Sequence, residues 1–113
     1  MPNLNICIGK RVSDEIKNDL QLEIGRTMFI IPGKTNENTV IMINDNYQMF
    51  NNGEKVERVF VDVRLFKSSS DESKKAFSDN LFSIFAKLLD IPPNHVQINY
   101  IELSNWASNG VYR

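Results

Sequence analysis

The sequence contains two nearly identical five-residue segments that lie about half the chain apart. "SDEIK" begins at Ser13 and "SDESK" begins at Ser70, a separation of 57 positions in a chain of 113 residues. The register holds without a gap when residues 4–53 are compared with residues 61–110. A fixed internal offset indicates that one structural unit occurs twice. We therefore predict a single domain, residues 1–113, built from two repeats, residues 2–56 and 57–113.

Each repeat carries the same structural signals in the same order. It opens with alternating apolar residues, which are typical of a strand with one buried face. These residues are Leu4, Ile6 and Ile8 in the first repeat and Val61, Val63 and Leu65 in the second. A serine before two acidic residues then predicts a helix start, because the hydroxyl caps free amides and the acids favour the positive dipole end. A Pro-Gly or Pro-Pro pair, at 32–33 or 92–93, is expected to stop each helix.

A second strand, predicted at residues 39–43 and 96–101, precedes an Asn-Gly turn that closes each repeat. Strand, helix and strand form a right-handed crossover between parallel strands. Two such βαβ repeats predict an α+β fold, a four-stranded sheet with two helices on one face. The other face bears Asn5, Cys7, Asp62 and Arg64, a mixed set. Either this face contacts other subunits, or the chain is a monomeric ferredoxin-like domain with a hydrated face.

Composition argues against several classes of function. Lys and Arg total 13 against 14 Asp and Glu, and no basic cluster predicts binding to nucleic acid or to an anionic membrane. The longest apolar run, residues 28–31, is too short to span a bilayer. One cysteine and one histidine give neither a Cys-x-x-Cys motif nor a metal constellation. We expect a cytoplasmic protein, and release from the cell would have to occur without a signal peptide.

The second residue, Pro2, is the strongest candidate for chemistry. If Met1 is removed, the nitrogen of Pro2 becomes a secondary amine held by the first strand. An α-amino group has a pKa of about 7.7–8.0, and an apolar pocket or a nearby cation lowers that pKa. Such an amine could act as a general base near neutral pH. The alternative is that the proline only marks a flexible start.

With this proline, the repeat resembles the tautomerase superfamily, in the branch of long subunits typified by macrophage migration inhibitory factor. The opening "MPNL" supplies the terminal proline, and "GKTNENTVIMI" at 33–43 resembles the Gly-Lys turn that leads into the second strand. "LLDIPPNHVQINY" at 88–100, followed by "NWASNG" at 105–110, is similar to the C-terminal signature. The resemblance covers essentially the whole chain. It implies a homotrimer whose sheets form a central barrel, with active sites between adjacent subunits.

The resemblance also implies roles for individual residues. Pro2 would be the base in a cofactor-free interconversion of keto and enol forms, and Lys34 would hold the substrate carboxylate and lower the pKa of Pro2. Asn99 would enter the pocket from the neighbouring subunit. Phe66 lies at a position that usually lines the pocket and offers a backbone amide, and Tyr112 would supply an aromatic wall. Without the resemblance, Lys34 would be an exposed turn lysine and Asn99 an ordinary strand residue.

The sequence departs from the family pattern at several pocket positions. Gln97 occupies a position where many members have a tyrosine, and Ser108 takes the place of a frequent aromatic residue. Val111 replaces a small hydroxyl residue, and Phe66-Lys67 is bulkier than the common Ile-Gly. An aromatic substrate would lose stacking partners, each worth about 1 kcal/mol. The resemblance therefore predicts an isomerase, a tautomerase for small, phenylpyruvate-like α-keto acids, and these departures predict that a small aliphatic keto acid competes well with phenylpyruvate.

Two other functions are compatible with the sequence. One is a signalling or binding protein of the same trimeric fold that acts through a protein receptor, with weak or no catalysis. The other is an unrelated ferredoxin-like regulatory domain that binds a small ligand. Retention of Met1 would block the Pro2 nitrogen and leave only these two, and a trimer in solution would argue against the regulatory domain.

Overall fold

The architecture consists of a mixed four-stranded sheet, two helices and two small hairpins. A computed structural model describes residues 2–113. In chain order, the strands are β1 (Asn3–Ile8), β2 (Val40–Asn44), β3 (Met49–Asn51), β4 (Glu54–Val56), β5 (Val59–Phe66), β6 (Val96–Leu103), β7 (Ala107–Ser108) and β8 (Val111–Tyr112). The helices are α1 (Asp14–Arg26) and α2 (Asp71–Leu89), and short 3-10 helices span Met28–Ile30 and Pro93–His95. No helix in this described part of the chain is long and apolar enough to cross a membrane.

The strands of the main sheet are ordered β2-β1-β5-β6. β1 is parallel to β2, β5 is parallel to β6, and the two central strands are antiparallel. Leu4 pairs with Ile41, and 57 positions later Val61 pairs with Ile98 in the same register. The predicted fold of two βαβ repeats in one four-stranded sheet is therefore confirmed.

A pseudo-two-fold axis relates the two repeats. Asn5 of β1 lies directly opposite Asp62 of β5, and these two residues are themselves 57 positions apart. The axis therefore passes between them, at the centre of the sheet. Each feature at one end of the sheet consequently has a counterpart at the other end, contributed by the other repeat.

Both helices begin where the serine and acidic residues predict. The hydroxyl oxygen of Ser13 accepts a hydrogen bond from the backbone N–H of Ile16 at 3.2 Å, and that of Ser70 accepts one from Ser73 at 3.1 Å. Two acidic residues occupy the first turn of each helix, near the positive end of its dipole. The same local chemistry thus fixes the start of both helices.

The helices pack their apolar stripes against one face of the sheet. The sheet contributes the fully buried Leu4, Ile6, Ile8, Val61, Val63 and Leu65, and the helices contribute Leu20, Ile24, Phe77, Leu81 and Phe85. Within residues 2–113 no polar or charged residue is buried. Burial of this apolar area is the main force that holds the helices on the sheet.

The first helix ends earlier than predicted. It stops at Arg26, well before the breaker at Pro32, because Thr27 closes the last turn. The N–H of Thr27 donates to the carbonyl of Ile24 at 3.0 Å, and its hydroxyl donates to the same oxygen at 2.9 Å. The chain then tightens into the 3-10 helix that buries Met28.

Each repeat closes on a small hairpin that the sequence interpretation did not include. β3 pairs with β4 around Asn52-Gly53, and β7 pairs with β8 around Asn109-Gly110. Both residues of each dipeptide have positive φ, between 52° and 78°, which suits a two-residue hairpin turn. The predicted turns are present, and the strands that flank them are additional.

The second face of the sheet carries no helix, and its side chains are mixed in character. Asn44 donates to the side chain of Asn5 at 2.9 Å, and Asn99 donates to Asp62 at 3.3 Å. Apolar side chains lie beside these amides, and Met42 is 45% exposed. We refer to this surface, formed by the outward residues of β1, β2, β5 and β6, as the open face.

Candidate functional site

Pro2 lies immediately before β1, at one end of the central strands of the sheet. We refer to this end of the sheet as the Pro2 edge. The residue is buried, and its carbonyl oxygen accepts a hydrogen bond from the N–H of Val40 at 3.1 Å. β1 is central in the sheet and pairs with a neighbour on each side. Pro2 is therefore attached to a rigid element, as a positioned base requires.

Lys34 reaches this same edge from the loop between α1 and β2. Its N–H donates to the carbonyl of Ile31 at 3.1 Å, and Gly33 before it adopts a φ of 80°. The Nζ atom of Lys34 donates to the backbone oxygen of Phe66 at 3.3 Å. Because the antiparallel register pairs Asn3 with Arg64, the end of β5 at Phe66 lies beside Pro2. The structure thus brings Pro2, Lys34 and Phe66 to one edge.

A cavity of about 230 Å³ opens beside Phe66. It is lined by Asn38, Phe66, Ser108, Asn109 and Arg113. The ring of Trp106 packs against that of Phe66, with 6.1 Å between centroids and 41° between planes. The C-terminal hairpin therefore forms one wall of the cavity, and Trp106 is the aromatic partner of Phe66 there.

The other predicted site residues do not join this cluster within one chain. Gln97 pairs with Phe60 and Asn99 pairs with Asp62, whereas Phe66 pairs with Leu103. At about 3.3 Å per residue, Asn99 is about 13 Å and Gln97 about 20 Å along β6 from the Phe66 edge. Asn99 and Gln97 could reach a Pro2 edge only in another copy of the chain, so their role stays a prediction.

Tyr112 lies on β8, where it pairs with Ala107. Its side chain is 72% exposed, and it does not line the cavity beside Phe66. Its predicted role as an aromatic wall remains a prediction, since an exposed side chain on a hairpin could face either solvent or another subunit.

Gln97 lines a different cavity, of about 450 Å³, at the opposite end of the sheet. Met49 and Val59 also line it, and they lie 57 positions from Trp106 and Pro2, respectively. This cavity is therefore the pseudo-symmetric counterpart of the Pro2 edge. Each chain presents one edge with Pro2 and Lys34 and a second edge that carries Gln97.

Comparisons with solved structures assign this geometry to a known fold. Leishmania major MIF2 superposes with a TM-score of 0.90 at 17% identity, over 100% of this chain and 97% of that chain. Pt0534, solved after inactivation by 2-oxo-3-pentynoate, gives 0.86 at 15% identity, over 97% and 95% of the two chains. The R7 fused 4-OT, an asymmetric trimer, gives 0.87 at 17% identity, over 97% and 94%. The chain has the tautomerase fold.

The expected resemblance to macrophage migration inhibitory factor is confirmed at the level of this fold, which Leishmania major MIF2 shares over nearly its whole length. Neither a scan of protein-family models nor a search of curated protein sequences gives a match. The likeness that these comparisons show is therefore one of fold rather than of overall sequence.

Two basic residues beside Phe66 were not identified as site residues from the sequence. The Nζ atom of Lys67 lies 5.2 Å from the centroid of the Phe66 ring. Arg113 lines the cavity, and its Nε donates to the hydroxyl of Ser108 at 3.2 Å. The available signals were a lysine directly after the end of β5 and an arginine just beyond the second Asn-Gly turn. Neither position is diagnostic until the tautomerase fold joins them.

Ion pairs elsewhere in the chain repeat with the same offset. Lys17 pairs with Asp45 at 2.9 Å, and Lys74 pairs with Glu102 at 2.7 Å. The N–H of Val12 and the ammonium of Lys17 lower the pKa of Asp45. Lys74 and then the N–H of Ser69 lower the pKa of Glu102, which in turn raises the pKa of Lys74. These pairs stabilise the link between each helix start and its second strand.

The basic residues at the Pro2 edge, by contrast, form no ion pairs with the acidic residues of the described chain. Five ion pairs occur among residues 2–113, and none of them involves Lys34, Lys67 or Arg113. The same residues contain no group of three or more His, Cys, Asp or Glu side chains arranged to hold a metal ion. The candidate site in this tautomerase fold therefore consists of a buried proline, an aromatic pair and three cations without acidic partners.

Proposed function

We propose that the protein is a cofactor-free keto–enol tautomerase that acts on small α-keto acids, with Pro2 as the general base once Met1 is removed. The observation that carries this proposal is the bond from Lys34 Nζ to the Phe66 carbonyl at 3.3 Å. It fixes a cation at the Pro2 edge, where Pro2 immediately precedes β1, so one substrate could meet a carboxylate anchor and a base together.

The proposed reaction needs only these groups. The Pro2 nitrogen takes a proton from the carbon next to the keto group, and the electron pair forms the carbon–carbon double bond of the enol. The keto oxygen gains a proton from water as its double bond becomes single, and protonated Pro2 gives its proton back to water. Return of a proton to carbon regenerates the keto acid. Lys34 binds the carboxylate throughout, and its charge favours the unprotonated form of Pro2.

The proposed active assembly is a homotrimer. The open face leaves apolar side chains such as Met42 uncovered, and Asn99 and Gln97 lie far from the Pro2 edge of their own chain. A neighbouring subunit would cover these apolar side chains, and its own Asn99 and Gln97 would lie at the Pro2 edge. The trimeric state of the R7 fused 4-OT, which has the same fold, supports this arrangement.

The inactivation of Pt0534 by a 2-oxo acid supports the proposed substrate class. The decisive experiment measures deuterium incorporation at C3 of pyruvate, 2-oxobutyrate and phenylpyruvate by proton NMR. Wild-type protein whose mass shows loss of Met1 should exchange these protons much faster than buffer alone. Equal exchange with and without protein would contradict the proposal.

A binding or signalling role remains the second candidate. Gln97 and Ser108, which lack aromatic rings, weaken the pocket for an aromatic keto acid, and Ser108 lines the cavity beside Phe66. A folded trimer that retains Met1 and exchanges none of the keto acids would favour this role, in which a protein receptor binds the outer surface of the trimer.

A further inference from the structure

The two small hairpins differ in the character of their exposed side chains. On β8, Val111 is 56% exposed and Tyr112 is 72% exposed. The residues 57 positions earlier, on β4, are Glu54 and Lys55, which are also exposed. Charged side chains at these positions are well hydrated, whereas an exposed tyrosine ring leaves a large apolar area in water. The exposed ring of Tyr112 therefore indicates a surface that a partner covers.

The backbone of β8 is fixed, although the Tyr112 ring is exposed. Tyr112 pairs with Ala107 across the hairpin, and the N–H of Arg113 donates to the carbonyl of Trp106 at 2.7 Å. The Trp106 ring packs against that of Phe66, with 6.1 Å between the centroids. The hairpin therefore holds the Tyr112 ring at a defined position beside the Pro2 edge.

The cavity of about 450 Å³ at the opposite end of the sheet contains a buried donor from Arg58, and we refer to it as the Arg58 cavity. Nη1 of Arg58 donates to the carbonyl of Asn94 at 3.4 Å. Its Nε atom is buried without a hydrogen-bond partner, the one such side-chain atom among residues 2–113. A buried donor without an acceptor costs free energy, so an acceptor from outside the chain would stabilise this arrangement.

The lining of the Arg58 cavity suits a side chain with an apolar body and a polar tip. No acidic residue lines it, and its apolar lining residues are Met49, Val59, Phe60, Val96 and Ile98. A tyrosine ring matches such walls, and its hydroxyl oxygen can accept a hydrogen bond from a buried donor. Tyrosine and arginine are also enriched among the residues that contribute most to protein interfaces.

Tyr112 and Arg58 cannot meet within one chain. Arg58 immediately precedes β5, whereas the hairpin that carries Tyr112 packs against Phe66, which ends β5. This strand has eight residues, so its ends are about 23 Å apart at about 3.3 Å per residue. A contact between opposite ends of two copies is a head-to-tail contact, which can close into a ring. The positions of these residues therefore fit a cyclic assembly.

We propose that the Tyr112 ring of one subunit occupies the Arg58 cavity of the next subunit, where its hydroxyl oxygen accepts a hydrogen bond from Arg58 Nε. The inference rests on the trimer of the proposed function and specifies a contact that joins its subunits. Gln97 lines the same cavity. A neighbouring subunit that brings its Gln97 to the Pro2 edge therefore also brings its Arg58 cavity towards the hairpin that carries Tyr112.

The test measures how readily the trimer dissociates on dilution. Mass photometry or sedimentation velocity gives the protein concentration at half-dissociation, in a fixed urea concentration that brings wild-type dissociation into the measurable range. Tyr112→Phe removes only the hydroxyl, and Arg58→Met removes the guanidinium but keeps an unbranched apolar chain. We expect each variant to raise this concentration by about tenfold, because three equivalent hydrogen bonds are lost from each trimer.

The double variant and a matched control assign the effect to one contact. Tyr112→Phe combined with Arg58→Met should dissociate at about the same concentration as either single variant, because both changes remove the same hydrogen bond. Lys55→Ala lies 57 positions before Tyr112 on the other hairpin and should leave the concentration unchanged. Arg58→Met, assayed where it is fully trimeric, should exchange keto acid protons at the wild-type rate.

The outcomes separate this contact from the proposed function. Trimer dissociation that neither Tyr112→Phe nor Arg58→Met changes would overturn the contact and leave the trimer and the tautomerase activity standing. Additive effects in the double variant would also overturn it, because the two side chains would then have different partners. A raised KM in fully trimeric Arg58→Met would place Arg58 in the substrate pocket instead. A monomer at every concentration would overturn the contact and the trimer together, and proton exchange would still test the chemistry.

Discussion

Lys74 and Glu102 form the same ion pair in the second repeat that Lys17 and Asp45 form in the first. The N···O distances are 2.7 and 2.9 Å, and each acid also accepts a backbone N–H from the residue before the capping serine, Ser69 or Val12. This duplicated contact ties each helix start to the second strand of its own βαβ unit. It also makes the stability of the fold sensitive to acid.

Acid should destabilise the protein through these two carboxylates. The pKa of Asp45 lies below its ordinary value of 3.8 and that of Glu102 below 4.5, so their contribution is complete above those pH values. It is lost as the pH falls through the lower pKa values of the folded state. The Asp45→Asn, Glu102→Gln double variant should therefore be less stable at pH 7. Its free energy of unfolding in urea should also fall less steeply than that of wild type as the pH is lowered. Glu54→Gln, at an exposed hairpin position, serves as the control. A decrease in the free energy of unfolding at low pH that is as steep as in wild type would contradict this assignment.

Pro2→Ala should remove most turnover while leaving the fold intact. The variant keeps a terminal amine but lacks the basicity and rigidity of the ring, so we expect kcat/KM to fall by about 10²-fold or more. Wild-type activity should rise with pH as the amine loses its proton, with its midpoint below the value of about 7.7–8.0 of an ordinary α-amino group. Keto acid exchange at the wild-type rate, in a folded variant without Met1, would exclude Pro2 as the base.

Lys34→Ala should weaken carboxylate binding and shift the pH profile together. Loss of a cation beside Pro2 should raise the pKa of the proline amine, so the activity midpoint moves to higher pH as KM rises. Lys34→Arg keeps the charge and should retain the midpoint. A rise in KM without any shift of the midpoint would place Lys34 in binding only.

Asn99 should act on the Pro2 of another subunit. We expect Pro2→Ala and Asn99→Ala each to lower activity, and a mixture refolded together to regain part of it. In a cyclic trimer assembled at random, about a quarter of the intersubunit sites would combine a native Pro2 with a native Asn99. Activity no greater than the average of the two separate variants would contradict a shared site.

Lys67→Gly should stabilise the protein, because it relieves the positive φ at this position. Relief of the left-handed backbone is worth about 1–2 kcal/mol, and the greater unfolded-state freedom of glycine offsets about 0.5–1 kcal/mol. We expect a net gain of about 0.5–1 kcal/mol in urea unfolding at fixed protein concentration. Asn52→Gly is the matched control, since asparagine already tolerates a φ of 54°. Destabilisation by Lys67→Gly would show that the lysine has a structural role.

The repeat made most of the fold predictable from the sequence. Alternating apolar residues identified the inner faces of β1 and β5, and the two capping serines located both helix starts, because these signals depend on short stretches of chain. β2 and β6 were predicted at 39–43 and 96–101 and are observed at Val40–Asn44 and Val96–Leu103. Strand ends shift by one or two residues because pairing partners, rather than local propensity, determine them.

Features that depend on distant contacts were not predictable. The end of α1 depends on the hydroxyl of Thr27, which also accepts a hydrogen bond from Asn80 of α2 at 2.7 Å. The position of Lys67 and Arg113 beside Phe66 depends on how the C-terminal hairpin folds back.

The pseudo-two-fold axis between Asn5 and Asp62 has a consequence for how such a site can diversify. A chain of one unit, assembled in pairs, would carry the same side chains at both ends of its sheet and could not change one without the other. Joining two units in one chain removes that constraint. Val59 and Ile91 now stand 57 positions after Pro2 and Lys34, and both are buried apolar residues. At these two positions the second end of the sheet carries core residues, whereas the first end carries the proline and the lysine.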